Sequence, residues 1–213
     1  MLKLCTLLCF QWIIKNQYIM RKLFFLSLLS AFVLTSCVTP KFGVRGGANF
    51  ATITGDDTDN LDSRIGVFFG GLAEFEVVAD KFSIQPELLY SMQGAEYSDS
   101  GGFDGRFKLD YLNVPVMAKV YVADGFFLEA GPQIGFLLSA KDEYDEPISG
   151  EDDIKDFIKS TDIGGNVGLG YQFGSGLNFN ARYNFGLSDF NDLEDSSETL
   201  KNGVFSFGVG FRF

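Results

Sequence analysis

Histidine is absent from the 213 residues of this chain. It is the side chain that most often acts as a general base or a metal ligand near neutral pH. Its absence excludes every Ser–His and Cys–His nucleophile. A mechanism that uses only carboxylates, such as Glu74 with Glu87, is the remaining route to catalysis, and nothing in the sequence places the two in a cleft.

Cysteine and proline are also scarce. The three cysteines, Cys5, Cys9 and Cys37, all lie near the N-terminus, so the rest of the chain has no disulfide and no thiol chemistry. There are 5 prolines against 25 glycines and 24 phenylalanines. Few prolines with many glycines and aromatic residues favour paired strands over a helical bundle.

Positive charge is sparse. Four of the 17 basic residues precede Cys37 and no acidic residue does, so the remainder has 13 basic and 28 acidic residues, a net charge of −15. Such an acidic surface repels phosphate backbones, and we therefore expect no nucleic-acid partner.

The N-terminus has the pattern of a secretion signal. The basic start Met20-Arg21-Lys22 precedes an apolar run, Leu23 to Leu34, and then small residues. The apolar run is too short for a stable transmembrane helix. We expect residues 1–37 to be a leader and 38–213 the mature domain. Translation either starts at Met20, in which case the start codon has been assigned too far upstream, or it starts at Met1 and the leader is unusually long.

The end of this leader, Leu34-Thr35-Ser36-Cys37, also resembles a lipobox, which predicts lipidation of Cys37. The alternative is ordinary cleavage nearby, with Cys37 incidental.

From Lys41 onward apolar residues alternate with polar ones at a period of two, which is typical of β-strands. Eight segments show it: 42–50, 64–77, 82–93, 106–122, 126–139, 163–173, 177–187 and 205–213. The alternation slips in the fourth segment at the adjacent pair Tyr111-Leu112, which predicts a β-bulge there.

The connections between these segments alternate in length. Three are tight turns, at 79–81, 123–125 and 174–176, and four are longer and polar, at 54–63, 98–105, 141–160 and 189–201. An even number of strands with short turns on one side and long loops on the other is typical of bacterial outer-membrane barrels. The sequence therefore predicts an all-β, eight-stranded, antiparallel up-and-down transmembrane β-barrel.

An eight-stranded barrel leaves an interior just wide enough for side chains. We therefore expect the apolar face to meet lipid and the sparse, sign-balanced polar face to fill the lumen as a salt-bridged plug, in preference to a conducting or proton-relay path. The predicted lumen charge network is Arg45, Glu74, Glu87, Lys119, Glu129 and Arg182.

The third long loop is rich in carboxylates, and its second half, 151–159, is predicted to form one or two helical turns. Carboxylates bind Ca²⁺ or share divalent ions with lipid phosphates, although no EF-hand spacing is present and a solvated acidic loop is the simpler interpretation. The candidate metal ligands are Asp142, Glu143, Asp145, Glu146, Asp152 and Asp153.

Four local strings resemble the PorT-like family of small outer-membrane β-barrels common in Bacteroidota. They are FGVRGGANF at 42–50, QPELLY at 85–90, YLNVPV at 111–116 and EAGPQIG at 129–135. The terminal Phe213 is similar to the C-terminal signal of such barrels. The resemblance implies an integral outer-membrane location and no catalytic residues, and the family's namesake is linked to type IX secretion.

The known barrel enzymes of this membrane all use a histidine, so we expect a non-enzymatic protein without a cofactor. The expected role is structural or surface-interacting, through acidic extracellular loops. An accessory role in envelope protein secretion, with a partner in the secretion machinery, and a small pore remain as alternatives. Expected partners are outer-membrane lipid, lipopolysaccharide and a surface protein, and we expect a monomer.

Overall fold

The computed structural model describes residues 39–55, 58, 61–98, 104–144, 149–191 and 199–213. These residues form nine strands and one short 3-10 helix, Lys155–Phe157. The strands are β1 Lys41–Gly55, β2 Leu61–Val78, β3 Phe82–Ser98, β4 Asp104–Tyr121, β5 Phe126–Tyr144, β6 Gly150–Asp153, β7 Thr161–Gln172, β8 Leu177–Gly186 and β9 Leu200–Arg212.

Eight of these strands close into a ring. Every neighbouring pair is antiparallel, and the order runs β4, β3, β2, β1, β9, β8, β7, β5, with β5 returning to β4. The first and last strands pair along most of their length, from Gly43 opposite Arg212 to Gly55 opposite Leu200. The predicted eight-stranded antiparallel barrel is confirmed, and closure satisfies the backbone hydrogen bonds that an open edge would leave free.

Tight turns join strands at one end of the ring, called here the turn end, where the described chain also begins and finishes. Asp80 has φ of 57°, Gly125 of 75° and Gly176 of 94°. This left-handed backbone suits glycine, and aspartate tolerates it better than most residues. The opposite end, called the loop end, carries the longer connections.

Large apolar side chains cover the outside of the ring, since alternate residues of a strand point to opposite faces. No described residue belongs to a helix long and apolar enough to span a membrane. Exposed members of the outer band include Phe42, Val44, Phe50, Ile65, Val67, Phe69, Leu88, Val116, Leu128, Ile134, Phe136, Tyr183, Phe205, Phe207, Val209 and Phe211.

The strands run further towards the loop end than the sequence predicted. Positions 141–144 and 150–153, expected within a loop, form a hairpin in which Asp142 pairs with Asp152 and Glu143 with Glu151. The helical turns predicted over 151–159 reduce to the one 3-10 turn. Pairing with a neighbour extends these strands although their residues are polar, which alternation alone does not reveal.

The bulge predicted at Tyr111-Leu112 is misplaced. The pairing of β4 with β5 shifts between Asp110 opposite Ser139 and Tyr111 opposite Leu137, so the extra residue is Leu138 of β5. β4 itself keeps its alternation, and Tyr111 is fully buried on the inward face. Tyr111 and Leu112 are apolar neighbours because Leu112 faces outward and Tyr111 faces inward, where the lumen is apolar at this level.

This apolar part of the lumen closes the loop end. We call it the apolar cap, and its buried members are Ile53, Ala95, Leu109, Tyr111, Leu137, Ala140 and Phe190. Partly buried Leu61, Phe107, Ile154, Ile158 and Leu200 pack against it. The sequence-based expectation of a wholly polar interior is therefore wrong at this end of the barrel.

Candidate functional sites: the lumen and the loop-end rim

The middle of the lumen is organised around Glu87, whose side chain has no solvent exposure. Arg45 Nη1 donates to its two carboxylate oxygens at 2.9 and 3.0 Å. Arg182 donates to the same two oxygens, both at 3.0 Å. Gln85 Nε2 adds a fifth hydrogen bond at 2.6 Å. One carboxylate thus links β1, β3 and β8 across the interior.

Glu129 completes this group. Its Oε1 lies 2.9 Å from Nε of Arg182, while Arg45 Nη2 donates to Asn180 at 2.5 Å. We call Arg45, Glu87, Glu129 and Arg182 the central cluster, in which two cations balance two carboxylates. Buried charges persist only when they are paired and hydrogen-bonded, and this cluster meets both conditions.

A second group lies nearer the turn end, around Glu74. The carboxylate is 3.4 Å from Lys119 Nζ and 2.9 Å from Arg212 Nη1. Hydroxyl groups of Ser83 and Tyr121 donate to it at 2.8 and 2.9 Å. Lys119 also lies 4.1 Å from the ring centroid of Phe127, a cation–π contact. We call Glu74, Lys119 and Arg212 the turn-end cluster.

The structure thus places the six predicted lumen charges in two groups that Gln85 joins, since Lys119 Nζ donates to Gln85 Oε1 at 3.1 Å and Gln85 Nε2 donates to Glu87. Sequence reasoning missed the neutral partners Gln85, Ser83 and Tyr121. The sequence could have indicated these partners, because their alternation with outward apolar residues places them on the same face as Glu74 and Glu87. It cannot tell which of many inward polar groups make contact.

Uncharged polar side chains occupy the next level towards the loop end. Asn49 donates to Ser91 at 2.9 Å, and Asn166 donates to Gln133 at 3.2 Å. A cavity of about 30 Å³ remains among them. Buried Arg45 Nε and Gln93 Oε1, from two residues that line it, have no hydrogen-bond partner within the protein. A polar space of this size suits one or two ordered water molecules.

The described candidate metal ligands do not converge. Among the residues that the structure describes, no group of three acidic or sulfur side chains could hold a metal ion. Asp142 accepts a hydrogen bond from Tyr97 at 2.9 Å, and Glu143 lies 3.1 Å from Arg106. Asp152 and Asp153 are exposed on β6, and Asp145, Glu146 and Cys37 lie outside the described residues.

The loop-end rim, formed by β4, β5 and β6, instead carries paired charges. Glu143 pairs with Lys108 and Arg106, and Glu151 lies 2.5 Å from Lys141. Burial, followed by the hydrogen bond to Asp142, raises the pKa of Tyr97 to about 12, so this phenol stays protonated as a donor. These contacts hold the β5–β6 hairpin upright beyond the apolar band.

The last connection, between β8 and β9, is tied down over the cap. Phe190 is 2% exposed, its carbonyl accepts from Lys159 N at 2.8 Å, and Ile158 forms a bridge with Asn191. Asp189 Oδ1 accepts from the backbone N–H groups of Leu200 and Asn191 at 2.9 and 3.1 Å. Burial alone would raise the pKa of Asp189, but these bonds and Lys159 hold it below its usual range.

A closed ring with an apolar outer band, a paired polar interior and unequal ends defines an outer-membrane β-barrel. The family model described as "Outer membrane protein beta-barrel domain" matches residues 40–192, and the chain belongs to this family. In barrels of this class the short turns lie on the periplasmic side and the longer loops lie outside. No curated protein is similar enough in sequence to count as a match.

Solved structures similar to this chain are small outer-membrane barrels. Neisserial surface protein A is 16% identical, with a TM-score of 0.51, over 81% of this chain and 97% of that one. Ail of Yersinia pestis, solved with the heparin analogue sucrose octasulfate, is 17% identical, with a TM-score of 0.48, over 82% and 99%. OprG of Pseudomonas aeruginosa is 13% identical, with a TM-score of 0.44, over 83% and 97%. At these identities the likeness concerns the fold alone.

Proposed function

We propose that this protein is a non-enzymatic, non-conducting outer-membrane barrel that presents a rigid acidic platform at the cell surface. The platform is the β5–β6 hairpin with the 3-10 turn after it. Its exposed carboxylates are Glu151, Asp152, Asp153 and Asp156. The observation that carries the proposal is the way the hairpin is held, by cross-strand pairing and by ion pairs to β4.

The filled lumen supports the proposal that the barrel does not conduct ions. Going outward from the periplasm, the turn-end cluster, the central cluster and the apolar cap follow one another, and the cavity between the last two is about 30 Å³. A hydrated ion needs a continuous wide path, which the ion pairs and the cap interrupt. Planar-bilayer recording of the purified protein is expected to show no stepwise conductance, and steady channel openings would contradict this part.

The charge of the platform fits a cationic partner, either a basic protein segment or divalent ions shared with lipopolysaccharide phosphates. The periplasmic side offers three short turns, which give little docking area, so a surface role fits better than an accessory role in secretion. We further propose that the mature chain starts after the leader and acts as a monomer.

The test removes charge on one side at a time. The extracellular variant carries Glu151→Gln, Asp152→Asn and Asp156→Asn. The matched control carries Asp80→Asn and Asp124→Asn in the periplasmic turns, where both residues are exposed. Cells with each variant are scored for adhesion to polylysine-coated surfaces and for secretion of extracellular proteins.

We expect loss of adhesion with normal secretion in the extracellular variant alone. Loss of secretion with normal adhesion, above all in the variant of the periplasmic turns, would instead favour an accessory role in secretion. Heat-modifiable gel mobility shows that each variant has folded.

A further inference from the structure

One short turn at the extracellular end exposes a large apolar side chain. The 3-10 helix Lys155–Phe157 has no buried residue, and Phe157 is 54% exposed. Its neighbours on either side, Ile154 and Ile158, pack against the apolar cap. The turn is therefore anchored from within while Phe157 is presented outward.

The pairing around this turn fixes its position on the barrel. Ile154 N donates to Ala140 O at 3.0 Å, and Leu137 N donates to Ser160 O at 2.9 Å. Residues 155–159 thus stand opposite only Leu138 and Ser139 of β5. Because Ile158 and Lys159 pair with Asn191 and Phe190 of the next connection, the surplus that leaves the sheet is 155–157. Because the cap fills the interior at this level, the surplus leaves on the outer side.

A second contact holds the turn against the barrel wall. Lys155 Nζ donates to the carbonyl of Leu138 at 3.0 Å. Leu138 is the bulge residue of β5, and it is 46% exposed. Phe136 and Ile163, which are also exposed and apolar, stand just below it on paired strands. Phe157 therefore lies at the upper edge of the apolar band that faces lipid.

We propose that Phe157 inserts into the outer leaflet and anchors the third extracellular connection to the membrane surface. The occupant is lipid and not protein, because the side chain continues a surface that acyl chains already cover. An aromatic ring at the boundary, with Lys155 and Asp156 beside it at headgroup level, is typical of membrane-interface residues. The inference rests on the outer-membrane location but not on the acidic platform.

Tryptophan fluorescence tests the position of this side chain directly. The chain has a single tryptophan, Trp12, so the full-length background carries Trp12→Phe. Phe157→Trp is compared with Phe136→Trp, in the lipid-facing band, and with Ser149→Trp, at an exposed loop-end position. Each variant is folded into phosphatidylcholine vesicles with acyl chains brominated near the headgroup or near the terminal methyl.

We expect Phe157→Trp to emit at shorter wavelength than Ser149→Trp and to be quenched by bromine near the headgroup about as strongly as Phe136→Trp. Acrylamide in the water is expected to quench Ser149→Trp alone. Quenching of Phe157→Trp by acrylamide, or a short-wavelength emission that brominated lipid leaves unchanged, overturns the proposal. Since Phe136→Trp reports on the barrel itself, its quenching separates failure of the anchor from failure of membrane insertion.

Discussion

Removing the carboxylate of Glu87 is expected to destabilise the barrel more than any other single charge neutralisation in the lumen. Its side chain is fully buried, and it accepts four hydrogen bonds from Arg45 and Arg182. Glu87→Gln leaves two guanidinium groups facing one carboxylate, that of Glu129. Breaking a buried pair in this way costs about 3–5 kcal/mol, because an unbalanced charge stays behind.

The compensating variant Glu87→Gln with Arg45→Gln removes one charge of each sign. The remaining pair, Arg182 with Glu129 at 2.9 Å, is neutral. We therefore expect the double variant to be more stable than the sum of the single variants by about 0.5–3 kcal/mol. The control Glu76→Gln removes the partly exposed turn-end pairs with Lys41 and, at 3.6 Å, with Arg212, where the Glu76 side chain is 27% exposed, and should cost about 1 kcal/mol or less.

The assay is urea unfolding in detergent micelles, followed by circular dichroism and by the gel mobility of unheated samples. Unfolding midpoints give the differences between variants if the slopes agree. Equal midpoints for Glu87→Gln and Glu76→Gln would refute the reasoning. So would additivity in the double variant, because the charges would then not be coupled.

Three further outcomes follow from the structure. Phe190→Ala empties the centre of the cap and is expected to cost about 3–5 kcal/mol, with faster protease cleavage near 187–191; an unchanged cleavage pattern would show that the cap does not hold this connection. The pKa of Asp189 is lower in the folded state than its ordinary value of about 3.9, so its stabilising effect is complete above that pH and is lost as the pH falls through the lower folded value. Hydrogen exchange at 187–191 should therefore rise in acid for the native chain but not for Asp189→Asn. If the lipobox is used, mass spectrometry of the mature N-terminus will show acyl chains on Cys37 that Cys37→Ser lacks, whereas an unmodified cysteine or cleavage elsewhere would rule lipidation out.

Strand positions and the facing of side chains could be predicted because both depend on local geometry. Successive residues of a strand point to opposite faces, so alternation at Phe205, Phe207 and Val209 indicates one apolar face whatever its partners are. Tight turns such as 123–125 can be identified by their short polar composition. The prediction failed at Tyr111, where an inward apolar residue was taken for a slip of alternation.

Contacts inside the barrel could not be predicted from the sequence. Arg45 and Arg182 meet at Glu87 across 42 and 95 residues of chain. Alternation places all of these cations and carboxylates on the inward face, but it does not indicate which of them are in contact. The β6 hairpin was missed for a related reason, since its strands are polar and are stabilised by pairing.

The amino-acid sequence thus determined the strand alternation, the tight turns and the grouping of the apolar side chains on one face of each strand, because period two and turn composition are local properties of the chain. The tertiary structure alone decided which lumen charges pair, where the bulge lies and that an apolar cap closes the outer end. Those features depend on strand register and ring closure, which bring together residues far apart in the chain.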